Sequence, residues 1–171
     1  MPTKLSRRDF IRLCAGSAAA ISMTGFLAPY MSEAVAAGAP PVIWIQGASC
    51  TGCSISLLNT VHPDIKKVLT EVISLRYHPN IMAAAGDLAM QEMFKVADEG
   101  NFFLVVEGAV PTGADGLYCT VGEETGHHIT FENLVTTIGK KANAILSFGT
   151  CSAFGGIPAT PPNPTNCKPV D

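Results

Sequence analysis

Charge is scarce in this chain. Of its 171 residues only 15% are charged, and 14 acidic residues outnumber 11 basic ones. A nucleic-acid binder would carry a basic surplus, and there is none. Disorder is excluded from the other side, because hydrophobic residues make up 47% of the chain. Despite 16 Gly and 12 Pro, no Gly-X-Y period appears, and there is no sustained heptad or longer repeat, which removes collagen-like, coiled-coil and solenoid architectures. Nucleotide fingerprints are missing too: no G-x-G-x-x-G follows the first apolar run, and no G-x-x-x-x-G-K-S/T occurs. Neither a G-x-S-x-G elbow nor an H-E-x-x-H helix is present. Six cysteines in a chain of this length are too few for a disulfide-stapled miniprotein. The length is sufficient for one domain with a substantial core.

What is present begins with an address. Ser6-Arg7-Arg8-Asp9-Phe10-Ile11-Arg12 precedes an apolar stretch from Leu13 to Tyr30, and Ala34-Val35-Ala36 offers an A-x-A cleavage site. A basic region, an apolar region and a small-residue site together form a secretory signal. The Arg7-Arg8 pair with Phe10 points to the twin-arginine route, and so to a periplasmic protein. The alternative is a membrane anchor, but Gly16, Ser17, Ser22, Thr24 and Gly25 dilute the stretch. Residues 1–36 are therefore expected to be signal and 37–171 the folded domain. Removing the signal leaves 7 basic and 12 acidic residues, a charge of −5. The twin-arginine route carries folded proteins, which hints at a cofactor inserted before export. Cys14 leaves with the signal.

The remainder alternates between two periodicities. Val42–Gln46, Glu71–Tyr77, Phe102–Val106 and Ala142–Phe148 read as short buried strands. Ser54–Val61, Ile65–Leu69, Asp87–Asp98 and Thr130–Ile138 read as helices, with Leu88, Phe94 and Ala97 offered as the apolar face of the third. Gly108–Gly126 reads as a long connection containing part of a hairpin, and the proline-rich tail from Pro158 shows no core pattern. Continuous apolar strands alternating with helices predict an α/β fold: a flavodoxin-like, doubly wound parallel sheet, truncated on its C-terminal side.

The chemistry-bearing residues follow strands. Cys50-Thr51-Gly52-Cys53 comes directly after the first strand and Cys151 directly after the fourth. Open parallel sheets bind ligands beyond their strands' carboxyl ends, so the two loops can converge. Three thiolates suit zinc or an iron–sulfur cluster, one ligand short of a Cys₄ site. A CxxC dithiol oxidoreductase, a disulfide or plain structural thiols remain alternatives. Cys119, in mid-loop, and Cys167, in the tail, are expected to be non-ligands. His62 and His78 precede prolines and read as turn residues. His127-His128 lacks zinc-finger spacing, and adjacent strand residues point to opposite faces. Glu107, at a strand end, is either solvated or a partly buried group with a raised pKa.

Several blocks together resemble the small subunit of nickel–iron hydrogenases. They are Val42-Ile43-Trp44-Ile45-Gln46-Gly47, Cys50-Thr51-Gly52-Cys53-Ser54 with Ser56-Leu57-Leu58-Asn59, and His62-Pro63. Ile73-Ser74-Leu75 with Tyr77-His78-Pro79, and Val106-Glu107-Gly108-Ala109-Val110-Pro111, continue the match. Gly149-Thr150-Cys151-Ser152-Ala153-Phe154-Gly155-Gly156-Ile157-Pro158-Ala159 and Pro162-Asn163-Pro164-Thr165 close it. The wording around Gln46-Gly47 and Ser56–Asn59 is similar to the nickel–iron–selenium branch.

The resemblance implies a domain holding a proximal 4Fe-4S cluster, with Cys50, Cys53 and Cys151 as three ligands. The fourth belongs to a later motif of the family, expected beyond Asp171, as do the medial and distal clusters. It also implies a large-subunit partner that carries the nickel–iron centre and splits or forms H₂. The small subunit would relay electrons to an external carrier such as a cytochrome. Oxygen-tolerant members carry two further cysteines at positions that match Gly52 and Gly156, so this chain resembles the oxygen-sensitive type.

Overall fold

A computed structural model describes residues 38–124 and 126–170. The expected signal, residues 1–36, lies outside them. The described residues from Ala39 onward form one compact unit.

Its centre is a four-stranded parallel sheet. Strand β1 is Pro41–Gln46, β2 Ser74–Tyr77, β3 Phe103–Glu107 and β7 Ala144–Phe148, in the order β2-β1-β3-β7. Between β3 and β7 lie three short strands outside the main sheet: β4 (Val110–Pro111), β5 (Thr120–Glu124) and β6 (His127–Thr130). From β1 the chain steps to one side and then returns to the other, the strand order of flavodoxin-like folds. The reversal falls between β1 and β3, whose paired ends are Gln46 and Glu107. Glu107 in turn pairs with Phe148 of β7.

The two-residue period of each strand divides the core. Ile43, Ile45, Leu104 and Val106 face the larger cluster. There they meet helix α3 (Gly86–Glu99) through Ala89, Met90, Met93, Val96 and Ala97, and helix α4 (Phe131–Gly139) through Phe131, Leu134 and Ile138. Val42, Trp44 and Val105 face the other side, where Leu57, Ile73, Leu75, Leu146 and Phe148 pack against them. Helix α1 (Gly52–Leu58) and the short α2 (Ile65–Lys67) precede β2. Asp64 caps α2 by accepting from the Lys67 N–H at 2.8 Å, and Thr130 caps α4 by accepting from the Asn133 N–H at 3.2 Å. Helix α5 (Thr150–Phe154) leaves β7. Among the described residues no helix is long and apolar enough to cross a membrane.

Three expectations need correction. Leu88 does not join the apolar face of α3; it is 69% exposed. Five residues from Met93, it lies well off the stripe that Met90, Met93 and Ala97 define. The second strand starts at Ser74, because Val68–Val72 forms a π-helical turn closed by the Ile73 N–H on the Val68 carbonyl at 3.0 Å. The tail is anchored: β8 (Cys167–Lys168) pairs antiparallel with β4, and the Val170 N–H donates to the Ser152 carbonyl at 2.8 Å. The long connection holds the β5–β6 hairpin.

Candidate metal centre

Beyond their last residues β1 and β3 stay joined. The Gly47 N–H donates to the Glu107 carbonyl at 2.9 Å, and Ala48 and Ala109 exchange two bonds at 3.0 Å. The exit of β1 is thereby fixed before the cysteine turn begins. Thr51 then takes a left-handed conformation, φ 63°, and α1 starts at Gly52 with Cys53 in its first turn. On the far strand Gly149, φ 88°, turns the chain from β7 into α5, which carries Cys151.

The two loops meet through sulfur. A Cβ on Gly149 would lie 2.3 Å from the Cys53 Sγ, and one on Gly156 would lie 2.7 Å from the Cys151 Sγ. Any other residue at either position would displace a thiol. The Cys50 Sγ is 3.0 Å from the Cβ position of Gly52, and Cys50 is exposed. Burial pushes the Cys53 thiol up, and the negative charges of Glu107, Cys50 and Cys151 push it further. Four acidic groups thus converge on one edge, and a bound cation or metal cluster is what lets neighbouring thiols ionise together.

The donors are soft sulfur, which suits iron or zinc. Among the described residues no three His, Cys, Asp or Glu side chains gather tightly enough around a single metal ion. In an iron–sulfur cluster each cysteine binds its own iron atom, so its thiolates need not crowd one point. The three thiols and the two Cβ-free seats fit that group.

Beneath the turn lies a buried polar network. Glu107 is 1% exposed and His78 is fully buried. The Glu107 carboxylate accepts from Trp44 Nε1 at 3.0 Å, Gln46 Nε2 at 2.9 Å, the Ser54 N–H at 3.3 Å and the Ser54 hydroxyl. The Asn80 N–H donates to His78 Nδ1 at 3.1 Å, which leaves Nε2 to donate to the Ser54 Oγ at 3.1 Å. Burial alone would raise the Glu107 carboxyl, but donors from Ser54, Gln46 and Trp44 outweigh it and hold it below its ordinary value. Both sequence readings of Glu107 are overturned: it is not solvated, and its pKa moves down. His78 opens the turn after β2, its carbonyl accepting from the Met82 N–H at 3.2 Å, but its ring belongs to the buried network, and burial lowers its pKa against the opposing pull of Glu107. The period-2 alternation that puts Trp44, Gln46 and Glu107 on one sheet face was the available signal.

The remaining candidates lie elsewhere. Cys167 is buried in β8, 3.1 Å from Thr165 Oγ1. Cys119 packs beside the larger core, where burial, then the charge of Cys167, raises its thiol. His62, His127 and His128 are exposed, and His128 Nδ1 sits 3.3 Å from Glu123.

Known proteins place this arrangement in a class. The family model described as NADH ubiquinone oxidoreductase, 20 Kd subunit, matches residues 50–171, and the chain belongs to that family. Within it the chain stands with hydrogenase small subunits. It is 47% identical to the periplasmic [NiFeSe] hydrogenase small subunit of Desulfomicrobium baculatum, over 97% of this chain and 56% of that protein. It is 39% identical to the periplasmic [NiFe] hydrogenase small subunit 1 of Nitratidesulfovibrio vulgaris, over 96% of this chain and 51% of that one. The solved oxidised [NiFeSe] hydrogenase of Desulfovibrio vulgaris Hildenborough superposes with a TM-score of 0.76 at 48% identity, over 80% of this chain and 49% of that chain. The chain spans about half the length of these relatives.

Proposed function

We propose that this chain is the proximal-cluster domain of the electron-transfer small subunit of a periplasmic nickel–iron or nickel–iron–selenium hydrogenase, exported by the twin-arginine route through residues 1–36. Cys50, Cys53 and Cys151 hold three corners of a 4Fe-4S cluster. The observation that carries this reading is the seating of the Cys53 Sγ over Gly149, which joins the exits of β1 and β7 at one edge of the sheet. The cluster, when bound, supplies a one-electron centre. The chain's own part is to fix the sulfurs, keep the site compact and limit water.

The same edge is the docking face for a large subunit that carries the H₂-activating centre. Ile55 of α1, Phe154 at the end of α5 and Ile157 just after it are exposed beside the cysteines, Phe154 by 79% and Ile157 by 86%. Exposed apolar residues around a cofactor are buried most readily by a partner. An external carrier, such as a cytochrome, takes the electrons onward.

A dithiol oxidoreductase fits the local structure less well. Cys50 stands two residues ahead of a seven-residue helix rather than at the start of a long one. Metal analysis of the purified full-length subunit with its partner tests the reading. Brown absorption with iron and acid-labile sulfide is expected, and Cys50→Ser is expected to lose about four of each relative to the wild type. Colourless zinc-bound protein would replace it with a zinc-thiolate module. Metal-free protein with a reversible Cys50–Cys53 disulfide would replace it with the oxidoreductase.

A further inference from the structure

Glu107 is a carboxylate with no lysine or arginine against it, and His78 reaches it only through the Ser54 hydroxyl. Its four hydrogen bonds all come from neutral donors on β1 and α1: the indole of Trp44, the amide of Gln46, and the backbone and hydroxyl of Ser54. None of the salt bridges among the described residues includes it. Such burial is costly unless the donors are fixed in advance. Here they are fixed. Gln46 is itself held by Asn80, whose Nδ2 donates to Gln46 Oε1 at 2.6 Å. Trp44 packs edge-on to Phe148, with ring centroids 4.8 Å apart, and lies 5.2 Å from the His78 ring. Ser54 is buried, receives Gln46 Nε2 at 2.8 Å, and directly follows Cys53 in the chain.

The geometry points to two linked jobs for this anion, both resting on the cluster reading above. We propose that Glu107 is the positioning residue of the cysteine turn, gripping it through Ser54, and that its fixed negative charge biases the bound cluster toward the oxidised state. The grip is double, since one carboxylate takes both the N–H and the hydroxyl of the residue next to Cys53. The bias follows from electrostatics. Reduction adds an electron to the cluster and therefore negative charge beside a negative charge, in surroundings where water screens little. Ser54 and Glu107 act through the ligand loop and touch no reacting atom.

The experiment is an EPR-monitored redox titration of the full-length subunit in complex with its partner, with iron content measured alongside. Glu107→Gln keeps the shape and an acceptor for Ser54 while removing the charge. It is expected to load iron as the wild type does and to shift the proximal-cluster transition to more positive potential. At fixed poise the reduced-to-oxidised ratio rises about tenfold. Ser54→Ala keeps the charge and loses half the grip; it is expected to broaden the cluster signal and lower iron content. Glu123→Gln, which removes an exposed charge on the β5–β6 hairpin, is expected to change neither. A loaded Glu107→Gln complex with an unshifted transition overturns the charge role. A Ser54→Ala complex with wild-type line shape and iron overturns the grip, and it decides the grip alone if Glu107→Gln does not assemble. Wild-type complex without any cluster at this site overturns the underlying functional reading instead.

Discussion

Gly149 and Cys53 share one volume, and that contact is the most exacting feature at the residue scale. Gly149→Ala puts a Cβ 2.3 Å from the Cys53 Sγ and asks alanine to hold φ 88°. The backbone strain alone is on the order of 1–2 kcal/mol. Iron content is expected to fall severalfold while far-UV circular dichroism keeps the wild-type shape. Acid should weaken the fold in two steps. His78 has a lowered pKa in the folded state, so stability is full above its ordinary 6.5 and declines as pH falls below it. The Glu107 carboxyl is also held low, so its contribution is present above its ordinary 4.5 and is lost as pH falls through its folded value. Thermal unfolding between pH 4 and pH 7 is expected to show a falling midpoint, and His78→Gln should remove the upper part of the slope. The meeting of the two cysteine loops was legible in the sequence, because both follow the ends of parallel strands. The state of Glu107 was not, because a carboxylate at a strand end looks solvated until its donors, Trp44, Gln46 and Ser54, are seen around it.

Elements were read well where periodicity is local and poorly where pairing is distant. Strands β1, β3 and β7 announce themselves as apolar runs, and α3 and α4 as helical patterns. Strand β8 is two residues long and is created by β4, more than fifty residues upstream, so nothing near Cys167 reveals it. Within α3 one of the three face residues was misread: Ala97 is buried and Phe94 packs against the core, but Leu88, a better hydrophobe than Ala89, is turned out while the helix rotation buries Ala89. That difference is measurable. Met93→Ala, at a fully buried position, is expected to cost about 2–5 kcal/mol in denaturant unfolding. Leu88→Gln is expected to change stability by no more than about 0.5 kcal/mol.

Across the whole molecule, the parallel sheet brings distant segments to one edge. The first strand delivers the Cys50-Thr51-Gly52-Cys53 turn, the third delivers Glu107 beneath it, and the last delivers Gly149 and Cys151. No segment contains the site by itself; strand order assembles it, and the exposed Ile55, Phe154 and Ile157 border it. The central claim is that Cys50, Cys53 and Cys151 act together as cluster ligands. The most direct test is iron and acid-labile sulfide content in Cys151→Ser beside Cys50→Ser, made in the full-length subunit with its partner. The account predicts equal and nearly complete loss of the proximal cluster from both. A Cys151→Ser protein that loads like the wild type, while Cys50→Ser does not, would contradict it.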